Sequence, residues 1–235
     1  ALVTAARDEA ENLAALAPTI IAQTLRPSAW IIVDDGSSDD TLAILLERFR
    51  MRRTERGFDS HIPCKPILGV YESAEFPNLV AVDKRNGGKG DAQNAGINVS
   101  RYPLFCTIDG DSLLEEDALL RVARPFHDYP GQIVATGGTI RIANGSLVRA
   151  GRITDARLAH ALLPRIQAVE YLRAFLFGRM GWSSFGGLLL ISGAFGIFDK
   201  QVVVEAGGYA TDSVGEDMEL VIRVHRVLRD RGRSY

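Results

Sequence analysis

The feature that most constrains the fold of this 235-residue chain is a regular alternation of short apolar runs with helical patterns. Five runs of four or five residues are mainly apolar, and turn-forming or polar residues bound them. Between the runs, apolar residues recur at helical spacing, as in Leu42, Leu45, Leu46 and Phe49. This alternation predicts an α/β domain with a largely parallel sheet flanked by helices. The predicted strands are 2–5, 30–33, 78–82, 104–108 and 133–136.

Three segments interrupt the alternation. Residues 50–77 are charged and irregular, which predicts a surface excursion with one short helical or extended piece. Residues 137–165 are predicted to form a strand near 139–142 and then a loop over the active face. The apolar stretch 171–198 has two interpretations: a core strand preceded by a buried helix, or an interfacial helix lying on a membrane.

Charge and cysteine content exclude several classes of protein. The 27 basic and 29 acidic side chains give a net charge of −2, which provides no basic surface for a nucleic acid, so we expect no nucleic-acid partner. The two cysteines, Cys64 and Cys106, lie far apart and have no histidine at ligand spacing. A disulfide framework and a structural zinc site are therefore not expected, and a reducing compartment such as the cytoplasm is.

Two aspartates follow the fourth apolar run, in Cys106-Thr107-Ile108-Asp109-Gly110-Asp111. Side chains two positions apart on a strand point the same way, and Gly110 lets a ligand approach closely. Two carboxylates suit Mg2+ or Mn2+, which share their other coordination positions with waters and substrate phosphates. Taken alone, however, the segment fits a simple Asp-Gly turn better than a metal site.

The second apolar run ends in Asp34-Asp35-Gly36-Ser37, which opens a helix. Ligands of parallel α/β sheets bind outside the carboxyl ends of the strands, where an acid can accept hydrogen bonds from a base or a ribose hydroxyl. The alternative is a well-capped turn. Because Arg7-Asp8-Glu9 follows the first strand, two successive strand ends would offer acids to one crevice.

Two helix starts carry further candidate residues. The glycine-rich loop 86–90 contains Lys89 and runs into a helix, an arrangement that suits a diphosphate although a plain flexible loop fits as well. Its spacing matches neither the Walker loop nor the dinucleotide motif. Glu216 and Asp217 begin the last helix, where they could complement the helix dipole, or where Asp217 could serve as a general base toward a substrate hydroxyl.

Together these segments resemble family 2 glycosyltransferases of the GT-A fold, and the resemblance covers nearly the whole chain. It favours a metal site over a turn at 109–111, and Glu9 fits the family's opening segment. The motifs that carry it, in chain order, are Asp34-Asp35-Gly36-Ser37, Gly88-Lys89-Gly90 with Asn94, Asp109-Gly110-Asp111, Ser192-Gly193-Ala194-Phe195 and Glu216-Asp217.

The resemblance implies a role for each donor-side residue. Asp34 or Asp35, assisted by Glu9, would hold the uracil and ribose of a nucleotide-sugar. Asp111 would bind Mg2+ or Mn2+, and Asp109 would contact the ribose or a metal-bound water. The metal ion would neutralise the diphosphate leaving group, and Lys89 would add positive charge beside it.

On the acceptor side, the resemblance implies that Ser192, Gly193, Ala194 and Phe195 line the acceptor entrance. Asp217 of the Glu216-Asp217 pair would deprotonate the acceptor hydroxyl, which would attack the anomeric carbon in line and invert it. The implied reaction moves a sugar from a UDP-sugar, with UDP-GlcNAc or UDP-glucose favoured, to a hydroxyl of a growing glycan.

Two alternatives remain: transfer to a polyprenyl phosphate lipid, and a catalytically silent module that binds a nucleotide-sugar. Retention of Asp109, Asp111 and Asp217 together argues against the silent module, because a binder has little use for a base.

The chain departs from the processive branch of the family at one point. Those enzymes carry a Gln-x-x-Arg-Trp motif beyond the base helix, and no such string occurs before Tyr235. From this and from the abrupt ends we expect one GT-A catalytic domain, residues 1–235, cut from a membrane-associated polysaccharide synthase that acts at the cytoplasmic face of the cell membrane. Residues 1–111 would bind the nucleotide-sugar and residues 112–235 the acceptor.

Overall fold

The computed structural model describes residues 1–149, 152–184 and 188–233. Its strands, in chain order, are β1 Leu2–Ala6, β2 Trp30–Asp34, β3 Met51–Thr54, β4 Ile67–Ser73, β5 Leu79–Lys84, β6 Leu104–Asp109, β7 Ala135–Gly137, β8 Leu147–Arg149, β9 Arg152–Asp155 and β10 Phe195–Asp199. Its helices are α1 Ala10–Ile21, α2 Thr41–Arg48, α3 Lys89–Val99, α4 Ala118–Asp128, α5 Leu162–Leu172, α6 Arg179–Ser184, α7 Lys200–Glu205 and α8 Glu216–Asp230, and a π-helical stretch, Arg173–Gly178, joins α5 to α6.

Eight strands form one mixed sheet in the order β3-β4-β5-β2-β1-β6-β10-β7. The four central strands β5, β2, β1 and β6 run parallel, and antiparallel pairings extend the sheet on both sides. All five predicted strands are present, the last of them displaced to Ala135–Gly137. The prediction of an α/β fold around a mostly parallel sheet is therefore confirmed.

The central strands are mainly apolar because side chains on both of their faces are buried. Strand β2 has no exposed residue. Ile31 belongs to an apolar cluster with Ala95 of α3, whereas its neighbour Ile32 belongs to a second cluster with Leu16 of α1. Successive residues of a strand point to opposite faces of the sheet. Helix α3 therefore covers one face of the central strands and α1 covers the other, and neither face is exposed to solvent.

The prediction of an irregular surface excursion at 50–77 is wrong. Strands β3 and β4 lie in this segment and extend the main sheet, with Arg53 opposite Tyr71 in antiparallel register. The polar composition reflects the position of β3 at the sheet edge, where Arg52 and Arg53 are exposed. Charged side chains on an edge strand hinder pairing with another chain. They also break the apolar pattern by which a strand is recognised in a sequence.

Two predictions in the second half of the chain also need correction. Residues 139–142 do not form a strand, and the pair β8 and β9 forms a small separate sheet further along the chain. The predicted core strand in 171–198 is confirmed as β10. The helical residues before it in this stretch, 173–184, are buried only in part, since Phe175 is 8% exposed and Trp182 is 64% exposed. Among the helices that the structure describes, none has both the length and the apolar content needed to cross a bilayer.

Candidate active site

The sheet order brings the motifs that follow β1, β2 and β6 together at the carboxyl ends of these strands. Strand β1 lies between β2 and β6, and its last residues Ala5 and Ala6 are in register with Asp109 and Asp34. Because these strands are parallel, the loops that follow all three leave the sheet on the same side. The segment after β1 contains Glu9, so this residue lies on the same side of the sheet as the motifs that begin at Asp34 and Asp109.

The loops after β1 and β2 are hydrogen-bonded to each other. Asp8 has a positive φ of 55°, and its Oδ1 accepts hydrogen bonds from the Ser38 and Asp39 amides at 2.7 and 3.3 Å. The Glu9 amide donates to Thr41 Oγ1 at 3.1 Å. A side chain at Gly110 would have its first carbon 3.6 Å from Glu9 Cβ and Cγ, so Glu9 lies beside the Asp109-Gly110-Asp111 turn, as its predicted assisting role requires.

Asp35 holds the glycine-rich loop in place. It is buried, and its carboxylate forms an ion pair with the ammonium group of Lys84. The amides of Gly87 and Gly88 donate to it at 3.0 and 2.7 Å, and Asn86 Nδ2 donates at 3.0 Å. With so many donors from the loop, the Asp35 carboxylate has a structural role.

Asp34, the other aspartate of the pair, accepts a hydrogen bond from Ser37 Oγ. Burial raises the pKa of its carboxyl, although the hydrogen bond from Ser37 opposes the shift. Its carboxylate is not part of the Asp35 network. Of the two residues that the sequence offered for the nucleoside, Asp34 is therefore the better candidate.

Lys84 is a residue whose importance the sequence did not reveal. Its side chain has no exposed surface, and its Nζ lies 2.5 Å from Asp91 Oδ2 as well as next to Asp35. One buried cation thus links the end of β5, the loop after β2 and the first turn of α3. The signal in the sequence was a lysine at the end of an apolar strand, directly before the glycine-rich loop.

Lys89 and Asp109 form an ion pair at the centre of the site, with Lys89 Nζ 2.6 Å from Asp109 Oδ1. Burial raises the pKa of Asp109, the charge of Lys89 opposes that shift, and the charges of Asp111 and Asp217 reinforce it. Three carboxylates therefore share one neighbourhood although Asp217 lies more than 100 residues from the other two. The site combines a cluster of negative charge with one lysine.

The Ser192–Phe195 turn meets the start of α8 at this same place. The Gly193 amide donates to Asp217 Oδ2 at 3.0 Å, and the Met218 amide donates to Asp217 Oδ1 at 2.8 Å. A side chain at Gly193 would have its first carbon 3.4 Å from both Lys89 Nζ and Asp217 Cβ. This distance is an ordinary contact, so only side-chain atoms beyond the first carbon would crowd the two charged residues. Glu216 precedes Asp217 in the first turn of α8.

The four residues of the predicted acceptor turn differ in their surroundings. Ser192 and Ala194 are half-buried, whereas the side chain of Phe195 is only 6% exposed and belongs to the apolar cluster beneath the sheet. Phe195 begins β10, and its amide donates to the Ser192 carbonyl at 3.1 Å. Its side chain supports the turn from the core and does not offer a surface to an acceptor.

Asn94 connects the glycine-rich helix to the chain that leads to Asp217. Its Nδ2 donates to the Tyr209 carbonyl at 2.9 Å, and the Tyr209 amide donates to its Oδ1 at 2.7 Å. This paired hydrogen bond is buried and joins residues 115 positions apart. It fixes α3, which carries Lys89, against the segment before α8.

Arg179 is a second residue that the motifs did not reveal. Its guanidinium lies 3.8 Å above the ring of Phe175, immediately after the π-helical stretch. Burial lowers the pKa of Arg179, and the negative charge of Asp217 opposes that shift. A second cation therefore lies within electrostatic reach of Asp217, and its only signal in the sequence was an arginine that interrupts an apolar stretch.

The carboxylates fit a divalent ion. No group of three histidine, cysteine, aspartate or glutamate side chains within the described ranges is arranged to hold a metal ion. Mg2+, however, is often bound through one or two carboxylates and completes its shell with waters and substrate phosphates. Asp109 and Asp111 would provide such an incomplete set of hard oxygen ligands, and in this structure Lys89 Nζ pairs with Oδ1 of Asp109.

The sequence profile of glycosyl transferase family 2 matches residues 65–183, just over half of the chain. The matched region contains Lys89, Asp109 and Asp111. The chain belongs to glycosyl transferase family 2. Asp34 and Asp217 lie outside the matched region, and their place in the site rests on the geometry described above.

Curated relatives align over most of the chain. Poly-beta-1,6-N-acetyl-D-glucosamine synthase of Staphylococcus aureus (strain COL) is 25% identical over 219 residues, which cover 93% of this chain and 43% of that protein. The synthase of Staphylococcus epidermidis is 26% identical over 196 residues, 83% of this chain and 38% of that protein. The chain thus spans about two fifths of the length of the curated relatives it matches.

Solved structures share the fold. The mannosyltransferase PcManGT from Pyrobaculum calidifontis, in complex with GDP-Man and Mn2+, superposes with a TM-score of 0.62 at 13% identity, covering 95% of this chain and 50% of that one. Staphylococcus aureus TarS 1-349 in complex with UDP-GlcNAc superposes with a TM-score of 0.58 at 13% identity, covering 96% and 53%. At this identity the likeness establishes the fold alone, and it confirms the GT-A type.

Proposed function

We propose that this chain is the catalytic domain of an inverting, metal-dependent glycosyltransferase that moves a sugar from a UDP-sugar to a hydroxyl group of a growing glycan. The observation that carries the proposal is the meeting of Lys89, Asp109 and Asp217 at the carboxyl edge of the parallel strands, with the Gly193 amide holding Asp217. A cation for a diphosphate, acids for a metal ion and a separate candidate base then lie in one crevice.

UDP-GlcNAc is the donor that we favour. Two similar proteins support this choice: the Staphylococcus aureus relative is named a synthase of poly-N-acetylglucosamine, and TarS was solved with UDP-GlcNAc bound. We propose that residues 1–111 bind the nucleotide-sugar and residues 112–235 the acceptor. We further propose that the chain acts at the cytoplasmic face of a membrane as part of a longer protein.

On the donor side, Asp34 accepts hydrogen bonds from the uracil or ribose, with Glu9 assisting. Asp111 and Asp109 would hold Mg2+ or Mn2+, and the ion would neutralise the diphosphate and make it a better leaving group. Lys89 leaves Asp109 and turns its ammonium group toward the diphosphate.

On the acceptor side, Asp217 takes the proton from the attacking hydroxyl, and Glu216 adds negative charge beside it. The Gly193 amide keeps one oxygen of Asp217 in place, so the base is oriented before the acceptor arrives. Ser192, Gly193 and Ala194 form the wall along which the acceptor enters.

Transfer can be measured directly with radiolabelled UDP-GlcNAc, UDP-glucose and GDP-mannose as donors, and with an N-acetylglucosamine oligosaccharide or a polyprenyl phosphate as acceptor. We expect Mn2+-dependent transfer from UDP-GlcNAc to the oligosaccharide, with a product of inverted anomeric configuration by NMR. Transfer to the polyprenyl phosphate alone would contradict the proposed acceptor. Nucleotide binding without turnover of any pair would indicate a silent binding module.

A further inference from the structure

The outward side of helix α5 is apolar, which is the reverse of the usual pattern. A helix on the surface of a soluble protein turns its apolar stripe inward and its polar residues outward. Here the half-buried residues, which face the protein, are Pro164, Ala168 and Tyr171. The opposite side exposes large apolar side chains at helical spacing, namely Leu162 at 72%, Ile166 at 51%, Val169 at 64% and Leu172 at 46%.

Exposed apolar side chains are concentrated in the segment that contains this helix. Of the 22 exposed large apolar side chains in the described part of the chain, 11 lie between residues 147 and 189. They include Leu147, Val148 and Ile153 of β8 and β9, and Trp182 of α6. Such a concentration of exposed apolar surface marks a site that contacts something other than water.

The same segment is strongly basic. Residues 141–184 contain seven arginines and only two acidic residues, Asp155 and Glu170, although the whole chain has a net charge of −2. Arg165 lies on the outward side of α5 between the apolar residues, and Arg173 directly follows the helix, with its Nη2 2.7 Å from Glu170 Oε2. The surface therefore combines leucine, isoleucine and tryptophan with an excess of arginine.

We propose that α5, together with β8, β9 and Trp182, docks this domain onto the surface of an anionic phospholipid bilayer. The apolar side chains enter the boundary between headgroups and acyl chains, the arginines stay level with the lipid phosphates, and Trp182 occupies the interface. The helix lies on the bilayer and does not cross it. A second copy of this chain fits less well, because a symmetric contact would bring one set of arginines against the other.

This proposal concerns where the domain sits and does not rest on the proposed donor or acceptor. It is tested on the 235-residue chain with vesicles of phosphatidylcholine alone or with about 30 mol% phosphatidylglycerol, a composition that carries a negative surface potential. The chain has two tryptophans, and their exposures differ: Trp30 is 5% exposed and Trp182 is 64% exposed. Vesicle-dependent changes in tryptophan emission therefore report on Trp182.

With the anionic vesicles we expect a blue shift of tryptophan emission and quenching by brominated lipid, both weakened by salt and both abolished by Trp182→Phe. Vesicles of phosphatidylcholine alone should give a much smaller change. Unchanged emission with anionic vesicles would overturn the proposal. So would quenching that survives Trp182→Phe, because the lipid would then reach another part of the chain.

A triple variant, Leu162→Gln with Ile166→Gln and Val169→Gln, tests the helix itself. Its matched control replaces three exposed apolar residues on other helices by glutamine: Ile21, Leu120 and Ile222. We expect at least roughly tenfold weaker vesicle binding for the α5 triple and little change for the control. Equal binding of both triples would overturn the proposal, as would a parent dimer that the α5 triple converts to a monomer. If the α5 triple fails to fold, the Trp182 quenching of the parent decides the question.

Discussion

Lys84 is a lysine without exposed side-chain surface, held between two aspartates that come from different elements. Its Nζ is also hydrogen-bonded to the Arg85 carbonyl, at 2.6 Å. A buried charge is tolerated only where partners compensate for its lost hydration. Removal of the lysine would leave Asp35 and Asp91 buried beside each other, and it would release the loop that carries Lys89.

We therefore expect Lys84→Met to lower the free energy of unfolding by about 3–5 kcal/mol, because it leaves two buried carboxylates without their shared counter-ion. Urea titration followed by circular dichroism measures this change. Lys65→Met is the matched control, since the Lys65 side chain is exposed, and its effect should stay within about 0.5 kcal/mol. A Lys84→Met protein as stable as the parent would show that the two aspartates do not depend on the lysine.

The turn before β10 and the start of α8, which we propose as the acceptor half of the site, are joined by the hydrogen bond from the Gly193 amide to Asp217 Oδ2. Gly193 lies against both Lys89 and Asp217, so a larger residue would push these charged groups apart. We expect Gly193→Leu to reduce sugar transfer at least roughly tenfold, because misplacing a reacting group by about 1 Å has effects of this size or larger. The melting temperature should change much less than the transfer rate.

Gly57→Leu is the matched control for this substitution, because a side chain at Gly57 meets no atom within 4 Å. Transfer by Gly57→Leu should equal that of the parent. If Gly193→Leu transferred sugar as fast as Gly57→Leu, the turn would have no part in positioning Asp217.

Among the strands and helices, those with a strong local sequence pattern were predicted correctly. The four parallel strands were found because burial on both faces makes them continuously apolar. Strand β3 was missed because its charged composition, which suits a sheet edge, resembles a loop. Strand β4 begins with apolar residues and was missed because the charged and proline-containing residues around it obscured its pattern. Helix α5 was not among the predicted elements, and its exposed apolar side could not be expected, because apolar residues usually indicate burial.

The site could be predicted to a similar extent. Motif order and family resemblance identified Lys89, Asp109, Asp111 and Asp217, and the structure brings Lys89, Asp109 and Asp217 together. Lys84 and Arg179 could not be found in this way, because their importance depends on partners from distant parts of the chain. The choice between Asp34 and Asp35 also required the structure, which shows the loop amides bound to Asp35.

In the whole molecule, we propose that donor binding and proton removal are carried out by residues of different elements. Asp111 and Asp109 lie after β6 and would hold the metal ion and donor, whereas Asp217 lies at the start of α8 and would act only on the acceptor. Asp217 nevertheless raises the pKa of Asp109 by its charge, so the two proposed functions would share one crevice. Separate substitutions should therefore separate donor binding from transfer.

The most direct test is calorimetric binding of UDP-GlcNAc with and without Mn2+, on the parent, Asp111→Ala and Asp217→Asn, alongside the transfer assay. We expect Asp111→Ala to weaken the Mn2+-dependent binding at least roughly tenfold, which is the loss of about 1.4 kcal/mol or more. Asp217→Asn should bind the donor as the parent does and lose transfer. Equal binding by all three proteins, independent of Mn2+, would contradict the assignment of the metal site and the glycosyltransferase mechanism proposed for this chain.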